Sequence, residues 1–142
     1  MGYSEFENIV NKAKQGGKAF SVEYAGGEMV FVNATPHELR FDDGSTVKGN
    51  PELAQVLSAG VEEREITRFA GIVFVSTEFI GLPEGYKLVA KARDAGNVFL
   101  IGSIIAAQAY RFPVISPITT PETARKPPDQ KVCYKNKWNC YP

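Results

Sequence analysis

The chain has 142 residues, 44% of them hydrophobic and 23% charged, with 16 basic side chains, 16 acidic ones and a single histidine. That length buries roughly two-thirds of its unfolded surface around one core, and the composition excludes a disordered, fibrous or membrane-spanning class. A formal charge of zero gives no electrostatic reason for nucleic-acid binding. The longest apolar run is broken by Gly102, Ser103 and Gln108, well short of the about 18 residues a membrane span needs.

The opening MGYSEFENIVNKAK is charged from its fifth residue and lacks the apolar core of a secretory signal, so a cytoplasmic protein without a membrane partner is expected. Phe6, Ile9, Val10 and Ala13 fall at helical spacing behind Ser4 as cap, and Gly16-Gly17 stops the helix. Phe20 to Tyr24 alternates apolar and polar residues and turns through Ala25-Gly26-Gly27-Glu28 into Met29 to Val32, a β-hairpin. Asn33-Ala34-Thr35-Pro36-His37 follows as a loop, since Pro36 forces Thr35 to be extended and removes a donor. Leu39 to Phe41 and Val47 flank Asp42-Asp43-Gly44-Ser45 as a second hairpin. Asn50-Pro51 starts a short helix with Leu53, Val56 and Leu57 on its apolar face, ended by Gly60.

Val61 to Arg68 alternates loosely. Ile72 to Phe79 is apolar on both faces, which predicts a central strand. Gly81 to Gly85 reads as a turn, Tyr86 to Ala92 as a short strand and Asp94 to Asn97 as another turn. Val98 to Ile101 is a buried strand, Gly102-Ser103 a turn, Ile104 to Tyr110 a short apolar helix, and a further apolar run closes at Pro117. Thr120-Pro121-Glu122 looks like a helix start that Lys126-Pro127-Pro128 ends at once. The element order predicts an α+β fold with a mostly antiparallel or mixed sheet and two or three short helices. Residues 1–126 form the domain and residues 127–142 a basic, aromatic tail with two cysteines. From Arg125 onward five basic residues stand against one acidic, a charge of +4 that leaves the preceding body at −4.

Four features bear on chemistry. Gly102-Ser103 joins a strand to a helix start, where unpaired N–H groups can hold a phosphate or carboxylate, although the same two residues also suffice as a turn and cap. The Gly-x-x-x-x-Gly-Lys frame of a P-loop is absent. His37, the one histidine, would have to serve any imidazole acid–base step, and it has no carboxylates at ligand spacing for a metal. Asn33 and Thr35 can bond the backbone of their own loop. If the strands before Asn33 and before Gly102 are parallel neighbours, both loops emerge at one sheet edge, where α/β ligands bind, and Arg111, Thr120 and Arg125 can add charge and donors for an anion.

In the tail, Cys133 and Cys140 are separated by six residues, which admits a disulfide, although free thiols are the cytoplasmic default. Lys131, Lys135 and Lys137 interleave with Tyr134, Trp138 and Tyr141, as in surfaces that stack single-stranded nucleic acid or in a terminal strand packed on the body or a neighbouring subunit.

Between Met29 and Arg125 the chain resembles a set of small bacterial and phage-encoded proteins. The residues that carry this are the N-x-T-P-H element at Asn33 to His37, Gly81-Leu82-Pro83, the S-x-I-A of Ser103 to Ala106 and the ISP of Ile115 to Pro117. The resemblance implies a phage or prophage origin and no particular activity. The reading that results is a binding protein for an anionic small molecule, such as a nucleotide-type signal that it sequesters. It names Asn33, Thr35, His37, Gly102, Ser103, Arg111, Thr120 and Arg125 as ligand-binding residues and calls for no cofactor. A His37-dependent hydrolase and an assembly protein that oligomerises through its tail are the alternatives.

Overall fold

A computed structural model describes residues 1–142. The elements are α1 (Tyr3–Gln15), β1 (Ala19–Tyr24), β2 (Gly27–Asn33), β3 (Leu39–Arg40), β4 (Thr46–Val47), α2 (Pro51–Val56), β5 (Ala59–Phe69), β6 (Ile72–Gly81), α3 (Pro83–Ala95), β7 (Val98–Ile101), α4 (Ile104–Tyr110), β8 (Val114–Thr119) and β9 (Cys133–Cys140). This is a single-domain α+β protein. Its main sheet is mixed, in the order β1-β2-β7-β8-β9, and β3-β4 and β5-β6 form separate two-stranded ribbons. Strand β2 runs parallel to β7, and β7 parallel to β8, with antiparallel partners at both ends. No helix is long and apolar enough to cross a membrane.

Alternation along the strands gives the sheet two apolar faces. Val30, Val32, Val98, Leu100 and Val114 face the helices, meeting Phe6 and Val10 of α1, Leu88 and Val89 of α3, and Ala106 and Tyr110 of α4. Phe31, Ile101 and Ile115 point the other way, against Phe20, Phe99 and Trp138. Phe20 and Phe31 stack with ring centroids 4.9 Å apart, Phe31 and Trp138 at 5.9 Å. Burying such rings is the largest single packing contribution on this side.

Several expectations are corrected. Helix α1 begins at Tyr3 with Gly2 at its cap, so Ser4 lies inside the first turn. Helix α2 stops at Val56, before Gly60, because Ser58 Oγ donates to the Gln55 carbonyl at 2.7 Å and Ala59 already enters β5. Residues 86–92 are helix, not strand. Pro83 opens α3, Gly85, Leu88, Val89 and Ala92 form one buried stripe, and Gly96 closes it in the left-handed region at φ 81°. Strand β8 continues past Pro117 to Thr119 with a register irregularity there, as expected where a proline cannot donate. Residues 120–126 make successive turns instead of a helix. The Thr120 amide donates to Val132 O at 2.8 Å, extending the β8–β9 side of the sheet.

The tail is the fifth strand of the sheet. Trp138 packs on Phe31 and Phe41, and its indole N–H donates to Lys135 O at 2.9 Å. Cys133 is buried and Cys140 exposed, both as free thiols. Their partners on β8, Ile115 for Cys140 and Thr119 for Cys133, are four residues apart, which holds the two cysteines roughly 13 Å apart, beyond disulfide reach. The outer edge of β9 is guarded by the β3–β4 turn, where the Asp42 amide donates to Cys133 O at 2.9 Å and Asp42 Oδ1 accepts from the Lys135 amide at 3.1 Å.

Lys135 Nζ also reaches Asp43 Oδ2 at 2.9 Å, while Ser45 donates to Asp43 Oδ1 through its backbone N–H and its hydroxyl. Bonds from Ser45 first, and then Lys135, lower the Asp43 carboxyl from 3.8 to about 2. Its folded-state pKa is depressed, so the stabilisation it carries is present above about 3.8 and is lost as pH falls through about 2. An NMR carboxyl titration will place the Asp43 midpoint near 2 and move it upward in Lys135→Met; a midpoint that Lys135→Met leaves unmoved would mean that the β9 contact is not made in solution, and an ordinary midpoint in the unaltered protein would mean that the Ser45 bonds are not made either.

Candidate functional site

The parallel pairing of β2 with β7 sets Asn33 across from Ile101, so the loops that follow the two strands leave the same sheet edge. Between them lies a cleft of about 750 Å³, within the range of small-molecule sites. One wall is Ala34 to His37 with Leu39, the floor is Gly102, Ser103 and Pro117, and the far wall combines Ile105 and Ala106 of α4 with the end of α2 and the root of β5.

The loop wall is held by Asn33, which is fully buried. Its Nδ2 donates to His37 O and Lys48 O, both at 2.9 Å, and its Oδ1 accepts from the Thr35 amide at 3.0 Å and the Thr35 hydroxyl at 2.7 Å. All four hydrogen-bonding positions of the amide are therefore used within the protein. Asn33 braces the cleft and has nothing left to offer a ligand. The Asn50 amide adds a bond to Thr35 O at 2.7 Å. Gly49 packs directly beneath, where any Cβ would land on the Pro36 carbonyl. The polar element Asn33 to His37 thus folds into a rigid lip, and the His37 side chain stands at its exposed rim.

Ser103 caps α4, its Oγ accepting from the Ala106 amide at 3.0 Å. Its hydroxyl proton is free to be donated into the cleft. Gly102 allows α4 to close onto the sheet, since a Cβ there would sit 3.1 Å from Ala106 Cβ and 3.2 Å from Val114 Cγ1. Polar groups also come from Gln55 and Ser58. Ser58 is fixed from behind, because the Tyr110 hydroxyl donates to Ser58 O at 2.7 Å and accepts from the Leu82 amide at 2.8 Å. Burial pushes the Tyr110 phenol above its ordinary pKa, which keeps it a donor. No lysine, arginine or carboxylate lines the cleft.

The structure thus brings together Thr35, His37, Gly102 and Ser103, with Asn33 behind them. It does not bring Arg111, Thr120 or Arg125 to the same place. Arg111 caps the far end of α4, with φ 69°, and its guanidinium reaches Pro142 O at 3.4 Å beside a separate hollow with Gln108 and Tyr141. Thr120 is buried, its hydroxyl 2.8 Å from that of Thr123. Arg125 is exposed in the turns after β8. Pro51, Ala54, Gln55, Leu57, Ser58 and Ala59 form a wall that the sequence reading missed, and no motif marks them. No group of three or more His, Cys, Asp or Glu side chains converges as a metal site would require.

No family model, curated protein or solved structure matches this chain. The chemistry of the cleft is shape, apolar contact and a few hydrogen-bonding groups. The interleaved aromatic and basic residues of β9 are largely committed to the fold, with Trp138 in the aromatic cluster, Lys135 on Asp43, and Lys137 over the Tyr134 ring at 4.2 Å.

Proposed function

We propose that this is a cytoplasmic small-molecule binding protein that holds its ligand in the cleft between the Asn33–His37 lip and the start of α4, without transforming it. The observation that carries this reading is the convergence of two loops from parallel neighbours on one cleft of about 750 Å³, at the sheet edge where such ligands bind. Two of the elements behind the resemblance to phage-encoded proteins, Asn33 to His37 and Ser103 to Ala106, lie along this cleft.

The lining refines the ligand class. A polyphosphate would find no lysine or arginine there, and only His37 could supply positive charge. The best fit is a flat, mostly apolar body of nucleobase size, resting on Pro36, Leu57, Ile105 and Pro117, with a polar or singly anionic end at Ser103, Gln55 and His37. Hydrolysis is the weaker reading, since no carboxylate in the cleft is placed to orient His37 as a base.

Thermal-shift and calorimetric screening against nucleobases, nucleosides, nucleotides and aromatic acids tests the proposal. Members with a ring and at most one negative charge will stabilise the protein, and Ala54→Trp, which fills the cleft from α2, will weaken them at least 30-fold while the circular dichroism spectrum stays unchanged. Stabilisation by none of the panel, or binding untouched by Ala54→Trp, would overturn it. Ligand recovered intact after long incubation separates a binder from an enzyme.

A further inference from the structure

The cleft leaves Arg111 unused, and the backbone at that position favours a different residue. Arg111 ends α4 with φ 69° and ψ 175°, a conformation that side chains resist and that glycine adopts without strain. The position has two backbone tasks, an amide that donates to Ala107 O and a carbonyl that accepts from the Val114 amide, both at 2.9 Å. Glycine would perform both. The arginine is therefore there for its side chain. The one hydrogen bond that side chain makes within the protein, from Nη1 to Pro142 O, is 3.4 Å long, weak beside the strain it would have to offset.

The guanidinium lines a hollow of about 480 Å³ between β6, Tyr141 and the end of α4 remote from Ser103. Thr77 and Gln108 add polar groups, Phe79 an apolar surface and Glu78 a carboxylate. Gln108 Nε2 stands 3.5 Å from the Tyr141 hydroxyl, a contact long enough to leave both groups able to bond elsewhere. No ion pair of the protein includes Arg111, Glu78 or Glu62. Glu62 lies directly opposite Glu78 in the ribbon, and like charges so placed repel. Arg64, opposite Ser76 on the same face, offsets one of the two, and one negative charge is left over. The hollow thus carries a cation and an anion that do not reach each other.

We propose that this hollow binds a free α-amino acid with an apolar side chain, at a site separate from the cleft and independent of what the cleft holds. The ligand carboxylate takes the Arg111 fork, with Gln108 and the Tyr141 hydroxyl beside it. The ammonium goes to Glu78, where it also relieves the repulsion from Glu62, and the side chain lies over Phe79. A simple carboxylate would leave the glutamates uncompensated, and a simple amine would leave the guanidinium so. A zwitterion satisfies both.

Calorimetry and amide chemical-shift titration with L-leucine and L-phenylalanine, each beside its N-acetyl and its amide derivative, test the site. The free amino acids will shift the Thr77, Glu78, Gln108 and Arg111 amides and leave the His37 ring unmoved. Removing either ligand charge, or Glu78→Gln in the protein, will weaken binding at least about 10-fold, as the loss of a charged hydrogen bond does. Arg111→Gly gives the sharper readout, because it will raise the melting temperature by about 3 °C as strain is released while leucine affinity falls at least about 10-fold. No shift with either amino acid at about 10 mM, derivatives that bind as tightly as the parent compounds, or an Arg111→Gly variant that melts lower or keeps its affinity would each overturn the proposal.

Discussion

Replacing Asn33 with alanine will cost about 3 kcal/mol of stability and lower the melting temperature by roughly 10 °C, the sum expected when several buried polar groups lose one shared partner. The side chain is fully buried and makes four hydrogen bonds, two given and two received. Its loss leaves the Lys48 carbonyl and the Thr35 amide without this partner and the His37 carbonyl with only the 3.2 Å bond from the Thr35 hydroxyl. Asn33→Asp will be worse, because a carboxylate can still accept from Thr35 but repels the two carbonyls. Chemical denaturation measures both, and amide exchange at Thr35 localises the effect. A loss below about 0.5 kcal/mol, the range of an ordinary surface substitution, would mean that the lip is not held as described.

The second large effect lies at the root of the β5–β6 ribbon. A Cβ on Gly81 would fall within the Tyr110 ring, so Gly81→Ala forces that ring outward and breaks its bonds to Ser58 and Leu82. The expected cost is about 4 kcal/mol, combining overpacking with orphaned backbone groups. The same substitution in a Tyr110→Leu background will cost much less, since the clash partner has gone. A double-mutant cycle with no coupling would place the cause elsewhere. Because Ser58 lines the cleft, Gly81→Ala will also impair ligand binding without touching the lining.

Legibility in the sequence followed the locality of each signal. The two hairpins at Phe20–Val32 and Leu39–Val47, the Asn50-capped α2 and the β7–α4–β8 unit are marked by turn residues and caps within a few positions, and they fold as read apart from the ends of α2 and β8. Helix α3 was legible in principle. Pro83 at its start, Gly96 at its end and the 85, 88, 89, 92 spacing are helix signals, but Gly85 next to Pro83 imitates a turn. Gly85 is there because Tyr110 fills the space a side chain would take. Strand β6 misled for a different reason. Apolar residues on both faces normally mean burial within one chain, and here both faces are open to solvent because the ribbon has no further strand or layer against it.

The site divides in the same way. Thr35, His37, Gly102 and Ser103 lie at loops that strand ends announce, and the parallel pairing of Asn33 with Ile101 was the condition under which they would meet. The wall from α2 depends on how that helix docks across from α4, a tertiary contact with no local code. Arg111 shows the reverse failure. Seven residues of α4 carry it away from Ser103 to the opposite end of the helix.

The central claim is that ligand enters between the lip and the start of α4, and the single histidine supplies a direct probe. The ring resonances of His37 are one isolated NMR signal at the rim of the cleft. Titration with a stabilising ring compound will shift them together with the amides of Ser58, Ser103 and Ile105, at one common dissociation constant. If His37 and those amides stay fixed while residues around Gln108, Arg111 and Tyr141 move, the binding site lies at the other hollow and the account is wrong.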